Sequence, residues 1–248
     1  MTMNIPTQTP FERLHYVNDR IQAACDRSHR SFTDITLVGV TKGHSFDRIS
    51  PFLDLGSILD IGESYLQESE KKVPLISDHN PSIRKHFIGH LQTNKAKKVL
   101  ELFNVIHSVD SLKLARELHK RSSQLFLQNP ENFSSYPVFV EVNLSGDVTK
   151  AGCKPEDTFE IVQFLTDQAA HLQVIGLMTI SPFDMVKDDD LHTFFKKMNS
   201  FKIKIQESFP KCSELSMGMS DDFEIAIEEG STFIRLGTIL FGPRSKLE

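Results

Sequence analysis

Eight short runs of β-branched and other apolar residues alternate with helix-like segments, and this alternation restricts the fold more than any other feature of the chain. The runs are ITLVGVTK (35–42), SILDIGE (57–63), KHFIGHL (85–91), NVIHSVD (104–110), PVFVEVNLS (137–145), LQVIGLMTI (172–180), ELSMGMS (214–220) and FIRLGTILFG (233–242). Near-continuous apolar strands that are followed by helices are typical of a parallel sheet buried on both faces. Eight such units in 248 residues predict a (β/α)8 barrel, with a doubly wound open sheet as the alternative.

The segments outside the strands carry the end markers of helices. An extra helix is predicted at 11–25, before the first strand, and Pro155 suits the first position of a later helix. Gly56 and Gly230 stand where helix C-terminal caps are expected. No linker divides the chain, so we predict one domain over 1–248 with its core at about 30–244, and we interpret 128–137 as an insertion before a strand.

Charge and cysteine content exclude several classes of protein. With 28 basic and 33 acidic residues the net charge is −5, which does not favour nucleic acid as a partner, and we expect the KAKK run at 95–98 to be a solvated helix face. Cys25, Cys153 and Cys212 form no CxxC pair, so neither a disulfide framework nor a zinc site is predicted.

Hydropathy gives no indication of a membrane or of export. The apolar stretches are shorter than the roughly 20 residues of a membrane-spanning helix, and the polar opening MTMNIPTQTP does not resemble a signal peptide. We therefore expect a cytoplasmic protein, and the sequence leaves open a mitochondrial pool beside the cytoplasmic one.

In a barrel, functional groups gather at the carboxyl ends of the strands. The polar residues at those positions are Lys42, Glu63 with Ser64, His90, Asp110, Asn143 with Ser145, the SMGMS segment at 216–220, and the RLGT segment at 235–238. A strand-end lysine that is partly desolvated has a lowered pKa and can act as a Schiff-base nucleophile. The competing interpretation of Lys42 is a lysine that extends into water.

The RLGT and SMGMS segments suggest an anion site. Gly237 and Thr238 offer backbone N–H groups and a hydroxyl to a phosphate at the corner of strands seven and eight, and Ser216 and Gly218 could add donors. The competing interpretation is a simple turn, and we expect Ser220 to be mainly a helix cap.

Other groups of polar residues in the sequence do not indicate a catalytic or metal site. His86 and His90 would be roughly 13 Å apart on one strand, so we do not expect them to share a metal. The acidic pairs Glu63 with Glu68 and Asp221 with Asp222 are interpreted as surface or capping groups. No nucleophile elbow, GxGxxG or GxxxxGK[ST] motif is present.

Motifs in a fixed order over about residues 35–244 resemble one known family. They are VGVTK, IGESYLQE, HFIGHLQTNK, IHSVD, VNLSGDVTKAG, GLMTI, LSMGMSDDFEIAIEEGSTFIRLGT and FGPR. Together they resemble the pyridoxal 5′-phosphate homeostasis family, which is related to the barrel domain of alanine racemase. The resemblance implies a fold type III barrel that binds pyridoxal 5′-phosphate (PLP).

The resemblance also implies roles for individual residues. Lys42 is similar to the lysine that forms the internal aldimine, and Arg235 matches the arginine that faces the pyridine nitrogen. The positions that line the phosphate end are Ser216, Met217, Gly237 and Thr238. An arginine beside the ring nitrogen disfavours protonation of the ring, which then is a poor electron sink.

Two positions depart from the family pattern. Ser64 stands where asparagine is usual, so a contact to the ring hydroxyl or to a water is expected to be weaker here. Thr41 replaces a serine but keeps the hydroxyl.

These features favour binding over catalysis. Racemisation needs a base on each face of the cofactor, and Tyr16, Tyr65 and Tyr136 are not evidently placed opposite Lys42. We therefore expect a monomeric carrier or buffer that holds PLP on Lys42 and delivers it transiently to apo-enzymes, with little turnover. The alternatives are a PLP-dependent racemase of the alanine racemase type and a cofactor-free barrel enzyme for a phosphorylated metabolite.

Overall fold

Eight parallel strands close into a barrel in the computed structural model, which describes residues 9–132, 135–147 and 149–244. The strands are β1 (Thr36–Val40), β2 (Asp60–Glu63), β3 (Arg84–Phe87), β4 (Val105–Val109), β5 (Tyr136–Glu141), β6 (Leu172–Met178), β7 (Glu214–Ser216) and β8 (Phe233–Leu236). Each strand pairs with the next in the chain, and β8 pairs with β1. The predicted (β/α)8 barrel is therefore confirmed, and the open sheet is excluded.

Helices surround the barrel. They are α1 (Pro10–Arg27), α2 (Phe46–Leu53), α3 (Leu66–His79), α4 (Ala96–Leu102), α5 (Leu112–Gln128), α6 (Pro155–Asp167), α7 (Asp188–Ser208), α8 (Phe223–Glu228) and α9 (Thr238–Phe241). The predicted leading helix is α1, which begins in a capping box of Thr9 and Glu12. Gly56 and Gly230 have positive φ angles of 69° and 102° after α2 and α8, as expected for chain reversal at helix ends.

The strands are shorter than the apolar runs that predict them. β1 ends at Val40 rather than Lys42, although the N–H of Thr41 still donates to the carbonyl of Gly62 at 3.0 Å. The chain then turns at Gly43, where φ is +74°. The polar residue that follows a strand therefore stands on a turn above the barrel.

The core has two layers. Inside the barrel lie Val38, Val105, Phe139, Met178 and Phe233, whereas larger apolar clusters fill the space between strands and helices. Helix α1 packs on α8 and α9. The protein therefore keeps a filled barrel, and open space for chemistry is left at its ends.

Several smaller predictions can be compared with the described residues. Lys95, Lys97 and Lys98 are exposed, which confirms the solvated face, and all three cysteines are buried and unpaired. In the part of the chain that the structure describes, no helix is long and apolar enough to cross a membrane. Most of the opening segment MTMNIPTQTP, in which no signal peptide was predicted, lies outside the described residues. Residues 133–134 of the predicted insertion also lie outside them.

Candidate functional site at the carboxyl end of the barrel

Lys42 lies two residues beyond the end of β1, and its side chain is half-buried. The strand alternation that turns Val38 into the barrel and Thr41 towards the helices turns Lys42 inward. Burial, followed by the positive charges of Arg244 and Arg235, lowers the pKa of Lys42, and Glu63 opposes the shift. A larger share of neutral amine, the nucleophilic form, is therefore present at neutral pH.

A buried ion cluster holds the backbone on both sides of Lys42. We call it the Lys72 clamp, and its members are Thr41, Gly43, Glu63, Glu68 and Lys72. Lys72 Nζ donates to the carbonyl oxygen of Thr41 at 2.7 Å, to Glu63 Oε1 at 2.8 Å and to Glu68 Oε1. All three ammonium donors are therefore used, and the cluster ties helix α3 to the turn that carries Lys42.

The two glutamates complete the clamp. Thr41 Oγ1 donates to Glu63 Oε1 at 2.6 Å, and the N–H of Gly43 donates to Glu68 Oε1 at 2.8 Å. Burial raises the pKa of Glu63, against the lowering effect of Lys72 and Thr41. The interpretation of Glu63 and Glu68 as surface or capping groups is wrong: Glu63 is fully buried, and Glu68 is bonded to both Lys72 and Gly43.

Arg235 in β8 lies inside the barrel below the mouth. Its Nη1 donates to Ser216 Oγ at 2.8 Å, and its Nη2 donates to the carbonyl oxygen of Thr179 at 3.0 Å. Burial lowers the pKa of Arg235 to about 10, against the raising effect of Asp222 and Glu141, so the guanidinium stays charged at neutral pH. It is a fixed cation that can only donate hydrogen bonds.

A buried hydrogen-bonded chain, which we call the barrel relay, continues from Arg235 through Ser216, His107 and His86 to Asp60. Ser216 Oγ lies 2.9 Å from His107 Nδ1, and His107 Nε2 lies 2.8 Å from His86 Nδ1. His86 Nε2 lies 2.6 Å from Asp60 Oδ1. The relay therefore runs through the interior from the cation to the opposite end of the barrel.

The relay admits one arrangement of protons when both histidines are neutral. The Asp60 carboxylate can only accept, so His86 donates from Nε2 and accepts at Nδ1. His107 therefore donates from Nε2 and accepts at Nδ1, and Ser216 donates its hydroxyl to His107. Burial lowers the pKa of His86 and lowers that of His107 well below its usual value, which supports the neutral forms. Every link thus donates towards Asp60, and Arg235 is held in one orientation.

The corner between β8 and α9 carries the residues predicted to bind an anion. Gly237 caps α9, Thr238 is its first residue and is exposed, and Ser220 Oγ accepts from the N–H of Ile239 at 3.4 Å. At the other end, Arg13 and Arg48 donate to the carbonyls of Leu240 and Phe241 at 3.3 and 3.0 Å. These arginines fix the short helix from behind.

Ser216 and Met217 face away from this corner. The hydroxyl of Ser216 belongs to the barrel relay, and Met217 buries its side chain and donates its N–H to Phe233. Ser220, expected to cap α8, is instead beside α9, and Asp222 is the N-cap residue of α8. The expectation that Ser220 caps α8 is therefore wrong, and its hydroxyl lies instead at the first turn of α9.

Ser64 follows β2 and is half-buried. The backbone of Ser64 leaves no room for a side chain at Gly89 of the HFIGH motif, because a Cβ there would lie 2.2 Å from the Ser64 carbonyl oxygen. Gly218 has a similar constraint: its φ is +93° and a Cβ would meet Ala226 at 2.6 Å. Both glycines let strand-end segments pack closely around the barrel mouth.

Glu141, the last residue of β5, lines a cavity of about 550 Å³ at the carboxyl end of the barrel. We call it the mouth cavity. Its lining includes Asn143, Lys150, Ile180, Ser181, Phe183, Val186, Met219 and Asp222. Burial, with a contribution from Asp110, raises the pKa of Glu141 to about 7 against the lowering effect of Arg235.

Sequence reasoning missed the groups that surround the predicted ones. His107 and Glu141 are polar residues inside apolar strand runs, VIHSV and VFVEV, and each could have been recognised as inward-facing from that placement. Lys72 lies in a polar helical segment, where the pattern does not distinguish it from exposed lysines. The described residues hold no group of three or more potential metal-ligating side chains.

Known proteins resemble this chain in sequence over most of its length. Residues 19–245 match the family described as alanine racemase, N-terminal domain. A pyridoxal phosphate homeostasis protein of Aquifex aeolicus is 38% identical over 94% of this chain and 97% of its own length.

Solved structures agree in fold. PipY of Synechococcus elongatus, solved with PLP bound, is 32% identical, covers 91% of this chain and 100% of its own, and has a TM-score of 0.76. An alanine racemase of Clostridium difficile in complex with cycloserine, 15% identical, covers 92% of this chain and 59% of its own with a TM-score of 0.70. The second likeness concerns the fold alone.

Proposed function

The chain belongs to the pyridoxal phosphate homeostasis proteins, within the alanine racemase N-terminal domain family, and on that premise we propose that it holds PLP as a Schiff base on Lys42. The observation that carries the proposal is the half-buried Lys42 with a lowered pKa, held by the Lys72 clamp at the barrel mouth. A neutral primary amine is the group that condenses with an aldehyde.

The other groups at the mouth suit the remaining parts of the cofactor. Arg235 presents a permanent cation, which suits an unprotonated pyridine nitrogen. Gly237, Thr238 and Ser220 offer backbone and hydroxyl donors for a dianionic phosphate, and Ser64 lies beside the mouth for the ring hydroxyl or a water. The donor set therefore fits PLP.

When bound, the cofactor supplies an aldehyde for amines and an electron sink whose strength depends on protonation of the ring nitrogen. Arg235 does not supply that proton readily, because its pKa of about 10 makes the guanidinium a much weaker acid than a protonated pyridine, and the barrel relay holds it in one orientation. The protein's own residues thus favour retention of the cofactor over turnover.

The tyrosines, all of which the structure describes, support the same conclusion. Tyr16 lies on α1, Tyr65 lines a pocket between α3 and the turn after β1, and the hydroxyl of Tyr136 donates to the carbonyl of Leu100. Among the described residues, Tyr16 and Tyr65 form no hydrogen bond or ring contact with Lys42. We therefore propose a monomeric, cytoplasmic carrier or buffer that passes PLP to apo-enzymes through transient encounters.

Replacement of Lys42 tests the covalent link. We expect Lys42→Ala to abolish labelling that survives borohydride, while weaker PLP binding through the phosphate and Arg235 remains measurable by equilibrium dialysis. Mass spectrometry of the reduced protein measures the label. Retained borohydride-stable label in Lys42→Ala would overturn the assignment of Lys42.

Transfer of PLP tests the carrier role separately. The loaded protein is mixed with an apo-form of a PLP-dependent enzyme, and recovery of that enzyme's activity is followed with and without a trap for free PLP. We expect recovery to persist in the presence of the trap. Complete loss of recovery would leave a binding protein without a delivery role.

A further inference from the structure

The mouth cavity contains a buried acid that lacks a partner. Glu141 is 4% exposed, and its carboxylate forms no hydrogen bond or ion pair with any described residue. The other buried carboxylate of the cavity, Asp222, is used: it accepts from Ser181 Oγ at 2.5 Å and from the N–H of Met219 at 2.6 Å. A buried carboxylate without a partner is costly, and a bound cation or donor would offset that cost.

The rest of the cavity lining combines the charged groups Lys150, Asp188 and Asp221 with apolar side chains that are accessible. Phe183 is 99% exposed, Val186 79% and Ile180 41%, all in or beside the segment between β6 and α7. They line the same cavity as Glu141. A ligand that satisfies both features carries one positive donor group and a short apolar substituent.

We propose that the mouth cavity binds a primary amine with a small apolar substituent, and that its ammonium group pairs with Glu141. An ammonium is a compact donor of three hydrogen bonds and can satisfy a carboxylate that has no protein partner. A neutral alcohol or a carboxylate of the same length lacks that charge complementarity.

The role of this amine rests on the proposed function. Arg235 acts electrostatically on both Glu141 and Lys42, which relates the cavity to the lysine. An ammonium held at Glu141 would transfer one proton to the carboxylate, and the neutral nitrogen would then form a bond to the cofactor carbon that carries Lys42. The π electron pair of the carbon–Nζ double bond would move to Nζ, and the two remaining N–H protons of the incoming nitrogen would pass to Nζ. The last carbon–Nζ bond would then break with its electron pair on Nζ, so Lys42 would leave as a neutral primary amine and Glu141 would release its proton to solvent. Nothing is oxidised or reduced, and the cofactor leaves the lysine as the imine of the amine.

Charged groups around Glu141 set the pH dependence of binding. Asp110 raises the pKa of Glu141 and Arg235 lowers it, while Asp222 and Lys150 line the same cavity. With a pKa of about 7, Glu141 is mostly protonated at about pH 6 and mostly ionised at about pH 8. Amine affinity is therefore expected to be about tenfold weaker at the lower pH.

Binding of n-butylamine tests the proposal directly. The full-length protein is first treated with borohydride, which fixes bound PLP to Lys42 and prevents exchange, and binding is then followed by saturation-transfer NMR. We expect butylamine to bind more tightly than butan-1-ol or butyrate. The Glu141→Gln variant should bind butylamine about tenfold or more weakly. Glu160→Gln, an exposed substitution of the same type on α6, is the matched control and should leave the affinity unchanged.

The outcomes separate the two proposals. Equal affinity for butylamine and butan-1-ol, or an unchanged affinity in Glu141→Gln, would overturn the amine site even if Lys42 carries the cofactor. Absence of label on Lys42 would overturn the proposed function, whatever the amine result. Borohydride labelling of Glu141→Gln itself checks that the variant folds and keeps the cofactor site.

Discussion

Among single residues, polar groups buried in the strands determine how the site is held. Ser216 is the middle link between Arg235 and His107, so its hydroxyl both accepts and donates inside a filled barrel. Removal of such a link leaves two partners without hydrogen bonds in a low-dielectric interior.

We predict that Ser216→Ala lowers the free energy of unfolding by about 1–3 kcal/mol, because His107 Nδ1 and one N–H of Arg235 lose their partners. Chemical denaturation measures the change. Ser200→Ala, an exposed substitution on α7, is the matched control, with an expected effect within about 0.5 kcal/mol. Equal stability of the two variants would show that the barrel relay contributes little.

Glu141 gives a second prediction at this scale. Its pKa is raised from 4.5 to about 7, so the folded protein binds more protons than the unfolded chain between these values. Stability therefore falls as pH rises through this window, by about 3 kcal/mol in total. Glu141→Gln removes the titration, so its stability relative to the wild type should rise between about pH 5 and about pH 8. Parallel stability profiles for the two proteins would contradict the raised pKa.

At the scale of secondary-structure elements, helix α3 and the turn after β1 act as one unit. Lys72 crosses from the helix to the carbonyl of Thr41 and to both glutamates of the clamp. The turn that carries Lys42 is therefore fixed by charges on its outer side, while the lysine itself faces inward.

We predict that Lys72→Met lowers the free energy of unfolding by about 3 kcal/mol or more, because Glu63 and Glu68 become unpaired acids near the barrel wall. It should also slow the formation of borohydride-stable label on Lys42, since the backbone on both sides of Lys42 loses its restraints. Stopped-flow absorption after addition of PLP measures the rate.

Lys71→Met provides the control for this experiment. Lys71 is the neighbouring residue on α3 and is exposed, so its replacement should change neither the stability nor the labelling rate appreciably. If Lys71→Met and Lys72→Met label Lys42 at the same rate, the Lys72 clamp does not position Lys42.

For the molecule as a whole, the pattern of strands favoured the barrel, and the pairing of β8 with β1 excludes the open sheet that the pattern had left as the alternative. Each of the eight apolar runs overlaps one strand, because strands buried on both faces are rich in apolar residues. The eighth run was predicted too long, since its second half, Thr238–Phe241, forms helix α9. Lys42, Gly237 and Thr238 could be recognised as mouth residues because each follows a strand.

The details of the site could not be predicted in the same way. Whether Glu63 is exposed depends on a lysine nine residues later on a helix, and strand periodicity carries no information about that partner. The position of Ser220 beside α9 depends on the path of the chain after Gly218. Turns of similar sequence can adopt different paths, so the sequence does not determine this position. Hydrogen-bond partners across the barrel are set by register and packing rather than by local pattern.

The proposed Schiff base between PLP and Lys42 is tested by the absorption spectrum of the full-length protein after incubation with PLP. The spectrum is repeated after borohydride reduction, and the labelled peptide is identified by mass spectrometry. We expect a visible band that borohydride removes, with the label on Lys42. No band after incubation, or a label on another lysine, would contradict it.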